Sequence, residues 1–268
     1  MTRRLLMPLL LGVNAVKRVF ASPQTTLPAD QPVPRPDTNS RTAHAQLLEK
    51  ARKGGIDIYF EGDSITRRWG TSDPQYKDLL ANWNHNFFGW NAANFGWGGD
   101  TIQNILWRLR NGELDGVNPR IIVLLAGTNN LADTPPSGAG HAKVVEVSRG
   151  IRAVLDVMRQ KAPGAIIILM GITPRNDRGT AIVATIDAIN DRISRFADGQ
   201  QIRYLNINRK LAGKDGKLFD GVTVDRLHLS VQGYQAWADA LKPVFTELLG
   251  PPASTDHAPP PTGDPSVH

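Results

Sequence analysis

Short apolar runs alternate along this chain with longer stretches in which apolar residues return every three or four positions. The runs Ile56–Phe60, Ala92–Phe95, Ile121–Ala126, Ala165–Met170 and Arg203–Asn206 have the length of strands, and each is predicted as one. Helices are predicted over about 75–82, 101–110, 142–161, 180–197 and 230–249, the last with Ser230 as its N-cap. In the third of these, Val144, Val147, Ile151, Val154, Leu155 and Met158 make one apolar face, and Ile182, Ile186, Ile189 and Ile193 do the same in the fourth. Such faces must be buried against a partner. Strict alternation of strands and helices supplies one, a parallel sheet covered on both sides, which predicts a three-layer α/β/α architecture over residues 41–250.

The flanks break this pattern. Residues 22–40 hold five prolines among polar residues and read as an extended linker. Residues 251–268 hold six prolines and no core formers, and read as a disordered tail. Residues 1–21 have basic Arg3-Arg4, an apolar stretch from Leu5 to Val16 and a small-residue end at Val19-Phe20-Ala21, the layout of an export signal, so a secreted or periplasmic location is expected. That stretch is too short for a stable membrane span. The net charge of +6 points at first to anionic partners, but Arg3, Arg4, Lys17 and Arg18 supply four of those charges and leave +2 for the rest. A nucleic-acid role therefore loses its support. The chain has no cysteine, and its six histidines show no His-Glu-x-x-His spacing. No metal and no cofactor are expected; the oligomeric state is open.

Candidate chemistry sits in four runs, at strand ends or where the last helix begins: Glu61-Gly62-Asp63-Ser64-Ile65-Thr66, Asn94-Phe95-Gly96-Trp97-Gly98-Gly99-Asp100, Gly127-Thr128-Asn129-Asn130 and Asp225-Arg226-Leu227-His228. In open parallel sheets the C-terminal strand edge is where ligands bind. A serine hydroxyl there needs a base, for which His228 is the candidate, with Asp225 three residues earlier to orient its ring. Acyl transfer also needs donors for the oxygen that turns negative, and the Ser64 N–H, the Gly99 N–H and the Asn129 amide are the candidates. Asp63 and Trp97, neighbours of these groups in their loops, are read as substrate-contacting. Other readings lack parts: the glycine loop has Thr101 where a dinucleotide fingerprint needs a third glycine, and Ser64 lacks the Gly-x-Ser-x-Gly setting of an α/β-hydrolase.

These runs resemble the consensus blocks of the SGNH, or GDSL-type, hydrolases over roughly residues 56–249, with Ser64, Gly99, Asn129 and His228 at the four eponymous positions. Ile65 stands where the motif has Leu. The stretch NFGWGGDTIQNILWRLRNGEL is similar to the catalytic subunits of platelet-activating-factor acetylhydrolases. The resemblance implies a flavodoxin-like five-stranded sheet and a serine esterase acting on carboxylic, often acetyl, esters of carbohydrate, lipid or aryl alcohols. A noncatalytic carbohydrate-binding module on the same scaffold is the second reading. Between Asn129 and Asp225 the one loose loop, Asp133–Gly140, is polar and offers no apolar lid, so short acyl chains are expected.

Overall fold

A computed structural model describes residues 27–134, 140–179 and 181–267. The proposed export signal lies outside the described residues, as do positions 135–139 of the loose loop. Five strands, β1 (Ile58–Gly62), β2 (Ala92–Asn94), β3 (Ile121–Leu125), β4 (Ile166–Met170) and β5 (Ile202–Leu205), form one sheet in the order β2-β1-β3-β4-β5. Every pair is parallel. The register sets Gly62 beside Leu125, so the loops that leave β1 and β3 emerge side by side.

The helices are α1 (Thr38–Lys53), α2 (Ser64–Trp69), α3 (Lys77–Phe87), α4 (Ile102–Arg108), α5 (His141–Lys161), α6 (Ala181–Ser194), α7 (Asn208–Leu211) and α8 (Val231–Leu249). Side chains alternate along each strand and divide the core in two. Tyr59, Ile122, Leu124, Ile167 and Leu169 pack with α1, α4, α5 and α6, while Phe60, Ile121, Val123, Leu125 and Ile168 pack with α2, α3 and α8. The three layers predicted from the alternation are thus present, and both faces of the sheet are covered. On the second face, Phe60 meets Trp83 with ring centroids 4.7 Å apart, and Trp69 stacks on Tyr234 at 4.9 Å. The Tyr234 hydroxyl donates to the Ile65 carbonyl at 2.6 Å, which fastens α2 onto α8.

The structure corrects the reading of both flanks. Residues 27–36 form no helix or strand and turn at Pro28–Gln31, where Gln31 N donates to Pro28 O at 2.9 Å, yet they pack: Asn104 Nδ2 donates to the Val33 carbonyl at 2.9 Å, and Ala29 is fully buried. Helix α1 begins at Thr38, inside the expected linker, because Asp37 caps it by accepting from Ser40 N. Its apolar stripe is only Ala43, Leu47 and Ala51, too sparse to stand out as a helix face. The tail expected to be disordered is pinned. Asp256 Oδ2 accepts from Gly89 N at 2.7 Å and Asn91 N at 3.3 Å, Ala253 N donates to Gly89 O, and Asp264 accepts from Asn39 Nδ2 at 2.8 Å. Polar bonds, most of them to backbone groups, hold this segment, with Pro259 the buried apolar residue among 251–267.

Candidate active site

Strand β1 ends at Gly62 because a side chain there has nowhere to go: a Cβ would fall 2.2 Å from Thr66 Oγ1 and 2.5 Å from the Leu125 carbonyl. Asp63 then caps α2, its Oδ1 accepting from Ile65 N at 2.9 Å. Ser64 becomes the first residue of that helix, half-buried. Its Oγ lies 3.0 Å from His228 Nε2, and His228 Nδ1 lies 2.6 Å from Asp225 Oδ2. The structure therefore brings Ser64 to a His228–Asp225 pair, the histidine 164 positions away in sequence, in the connectivity read from their types.

The loop carrying His228 is built by Asp225. Its Oδ1 accepts from Leu227 N at 3.1 Å and His228 N at 2.7 Å, leaving Oδ2 for the ring. Arg226 closes this turn at φ +65°, the left-handed region, which costs a non-glycine residue about 1–2 kcal/mol. The Arg226 carbonyl is held by Asn176 N at 2.9 Å, so the turn is braced from the loop after β4. Burial lowers the His228 pKa below its ordinary value, and the positive charges of Arg68 and Arg175 add to this against the pull of Asp225. At Asp225, burial works upward, but the His228 backbone N–H and ring outweigh it and hold the carboxyl below the usual aspartate value. The resting pair is a neutral imidazole and a carboxylate. Asp225 keeps 46% of its side chain in water, with Arg68 Nη1 at 3.7 Å.

The candidate donors lie along the same sheet edge. Trp97 N donates to Gly62 O at 3.1 Å, which brings the loop after β2 beside the nucleophile turn. Gly99 is exposed at φ +78°, a conformation that favours glycine. Asn129 Nδ2 spends one N–H on the Asp100 carbonyl at 2.8 Å, and its second N–H is available to a ligand. The turn that holds Asn129 is gripped from behind by Arg175, whose Nη1 donates to the Thr128 carbonyl at 3.0 Å and to its hydroxyl at 3.1 Å. Arg68, Arg175 and Asn176 carry no motif, and sequence reasoning missed all three.

Two predicted contacts are corrected. Asp63 is 1% exposed and capping α2, so it orients Ser64 instead of meeting substrate; burial raises its pKa to about 7. Trp97 is 7% exposed and turned toward α1, its Nε1 donating to Ser40 Oγ at 2.8 Å, with the Arg67 guanidinium 4.7 Å from its ring. It therefore packs behind the loop.

The chain matches the GDSL-like Lipase/Acylhydrolase family over residues 60–236. It is 28% identical over 227 residues to platelet-activating factor acetylhydrolase IB subunit alpha1 of Bos taurus, covering 83% of this chain and 90% of the relative. It is 30% identical over 214 residues to the alpha2 subunit of Rattus norvegicus, covering 80% and 86%. Among solved structures, a GDSL-like lipase from Bacteroides thetaiotaomicron superimposes with a TM-score of 0.58 at 21% identity, over 79% of this chain and 98% of that one. A carbohydrate esterase of family 3 from Talaromyces cellulolyticus does so at 0.51 and 19%, over 72% and 97%. The likeness to these structures is one of fold, whereas the family match runs from the residues before Ser64 through His228. On both, the chain belongs to the GDSL-like lipase/acylhydrolase family, the SGNH hydrolases, and is distantly homologous to the acetylhydrolase alpha subunits.

Proposed function

We propose that this protein is a serine esterase that hydrolyses short-chain, acetyl-type carboxylic esters. The observation that carries the reading is the relay from Ser64 Oγ through His228 to Asp225, at 3.0 Å and 2.6 Å. Ser64 Oγ attacks the ester carbonyl while His228 Nε2 takes its proton, and Asp225 holds the ring by Nδ1–H and stabilises the imidazolium. The carbonyl oxygen, now negative, is met by the Ser64 and Gly99 N–H groups and the Asn129 amide. His228 returns its proton to the leaving alkoxide, and water repeats the cycle on the acyl-enzyme.

The acyl length is inferred from a lack of apolar lid in the loop after Asn129, and the relatives named as acetylhydrolases favour the same class. The test is hydrolysis of p-nitrophenyl acetate by the wild type and by Ser64→Ala. The substitution is expected to remove nearly all activity with the fold intact, and a serine-directed phosphonate should label the native chain once, at Ser64. Retained turnover in the variant would overturn the assignment.

A further inference from the structure

A second group of charged residues lies beneath the catalytic loops. Arg108, the last residue of α4, is 3% exposed and is surrounded by Glu61, Asp100 and Glu113, each fully buried. A guanidinium has five N–H donors. Here they meet Asp100 Oδ2 at 2.7 Å, Glu61 Oε1 at 2.6 Å, Glu113 Oε2, the Phe95 carbonyl at 3.0 Å and the Gly62 carbonyl at 3.4 Å. No donor is left for a substrate, so this is a brace. Apart from Glu113, its partners lie at the ends of the elements that carry the proposed chemistry. Glu61 and Gly62 immediately precede the Asp63-Ser64 turn, Phe95 opens the loop of Gly99, and Asp100 closes it.

Asp100 extends the brace to the third donor. Its carboxylate is held by Arg108 on one oxygen and by Arg35 Nη1 at 3.3 Å on the other, and its carbonyl accepts the Asn129 amide at 2.8 Å. Arg35 also donates to the Gly98 carbonyl at 3.0 Å, so the peptide ahead of Gly99 is fixed from outside. A chain of direct hydrogen bonds thus runs from the residue before the nucleophile turn, through one guanidinium, to the amide facing the oxyanion. Keeping three carboxylates and one arginine out of water is costly unless every group is paired. Burial pushes the Glu61 carboxyl upward and raises Asp100 to about 6, in each case against the pull of Arg108.

We propose that Arg108 is a positioning residue for ester hydrolysis, holding the Ser64 turn and the Gly99 and Asn129 donors in one frame. This rests on the esterase reading of the same site. A lysine at this position keeps the charge but replaces a planar fork with a point donor that cannot reach all the partners. Arg108→Lys is therefore expected to lower kcat on p-nitrophenyl acetate by ~10–10²-fold, the cost of misplacing groups by a fraction of an ångström to 1 Å. KM should stay within about threefold, because a ground-state carbonyl uses the donors less than the oxyanion does.

The decisive experiment measures kcat and KM for the wild type, Arg108→Lys, Asp100→Asn and Ser64→Ala, each with a thermal melt. A folded Arg108→Lys with wild-type kcat, or with a loss confined to KM, overturns the proposal. If Arg108→Lys does not fold, Asp100→Asn decides: it keeps the carbonyl that holds Asn129 but weakens the grip of Arg108, and kcat must fall at least ~5-fold at near-constant KM for the proposal to stand. A wild type no faster than Ser64→Ala would instead sink the esterase reading, and this inference with it, which is a different result from an active wild type matched by Arg108→Lys.

Discussion

Asn129→Ala separates transition-state stabilisation from binding at this site. The amide is fixed before substrate arrives: Asp100 O takes one of its N–H groups at 2.8 Å, and Arg175 clamps the neighbouring Thr128 carbonyl and hydroxyl. A donor held at both ends needs no reorganisation when the oxyanion forms, the condition under which such donors count most. Removing one of them costs about 2.7–4 kcal/mol, or ~10²–10³ in kcat. The same substitution leaves the carbonyl of the buried Asp100 without that partner, a loss of about 1–3 kcal/mol in stability. Against a total of about 5–15 kcal/mol that leaves the chain folded at assay temperature, so lost turnover would not be unfolding in disguise.

The assay is saturation kinetics on p-nitrophenyl acetate with a thermal melt of each variant. Asn130→Ala is the control, since Asn130 Oδ1 accepts from Ile102 N at 2.9 Å and Nδ2 donates to Gln103 Oε1 at 2.8 Å. Both ends of that side chain are spent on structure, so its loss should lower the melting temperature with a much smaller effect on kcat. A kcat for Asn129→Ala within threefold of wild type, or an effect only on KM, would refute the reasoning.

Three further outcomes are expected. Because burial and two arginines lower the His228 pKa, the base is neutral to a lower pH than a free histidine; kcat/KM should rise with pH through an apparent pKa below ~6.5, and Arg68→Gln should move that midpoint upward, whereas a wild-type midpoint above 7 would contradict the electrostatics. The specificity constant for p-nitrophenyl acetate or butyrate should far exceed that for the palmitate ester kept dispersed, since each CH₂ left wet forgoes ~0.8 kcal/mol, and equal cleavage of palmitate would point to an apolar channel. Asp256→Ala removes a carboxylate that accepts from Gly89 N and Asn91 N, so about 1.5–3 kcal/mol of stability and a fall in Tm of several degrees are expected with kcat unchanged; an unaltered melt would show that the tail is not held there.

The sheet, and the residues that meet at its C-terminal edge, were legible because their signals are local. Five apolar runs named five strands, and their ends moved by only two or fewer residues: β1 was predicted as Ile56–Phe60 and is Ile58–Gly62. The residues proposed as nucleophile, base, acid and donors each sit in a short run of characteristic residues beside an element end, so no long-range information was needed to name them as candidates. Orientation was another matter. Asp63 and Trp97 are adjacent in sequence to groups that face the site, but each turns its side chain to an internal partner, Ile65 N for one and Ser40 Oγ for the other. Arg175 and Arg108 act through geometry that assembles only when distant loops meet. One clue to Arg108 was present: Glu61 stands in an otherwise apolar strand end whose neighbours are all buried, and a buried carboxylate demands a partner. Arg108, between Ile105 and Leu109 on the buried side of α4, was the residue to look for.

The tail shows why composition misled where pattern did not. Absence of core formers leaves 251–264 without a helix or strand and 265–267 with only a single 3-10 turn, yet order does not require core formers when an existing edge offers backbone groups to bind. Strand β2 pairs only with β1, which leaves it at the border of the sheet, the place where proteins must guard against pairing with another chain. Here Ala258 and Pro259–Pro261 share the lining of a cavity of about 170 Å³ with Ala92, Ala93 and Asn94 of β2. Proline has no N–H to donate, so a proline-rich segment can lie over this border without extending the ladder or exposing a new one. The anchors are the acids on either side, Asp256 on the chain entering β2 and Asp264 on Asn39 at the start of α1. What reads in isolation as a solvated tail is pinned beside that border, across a cavity from β2, and its prolines suit a position where a regular strand would invite aggregation.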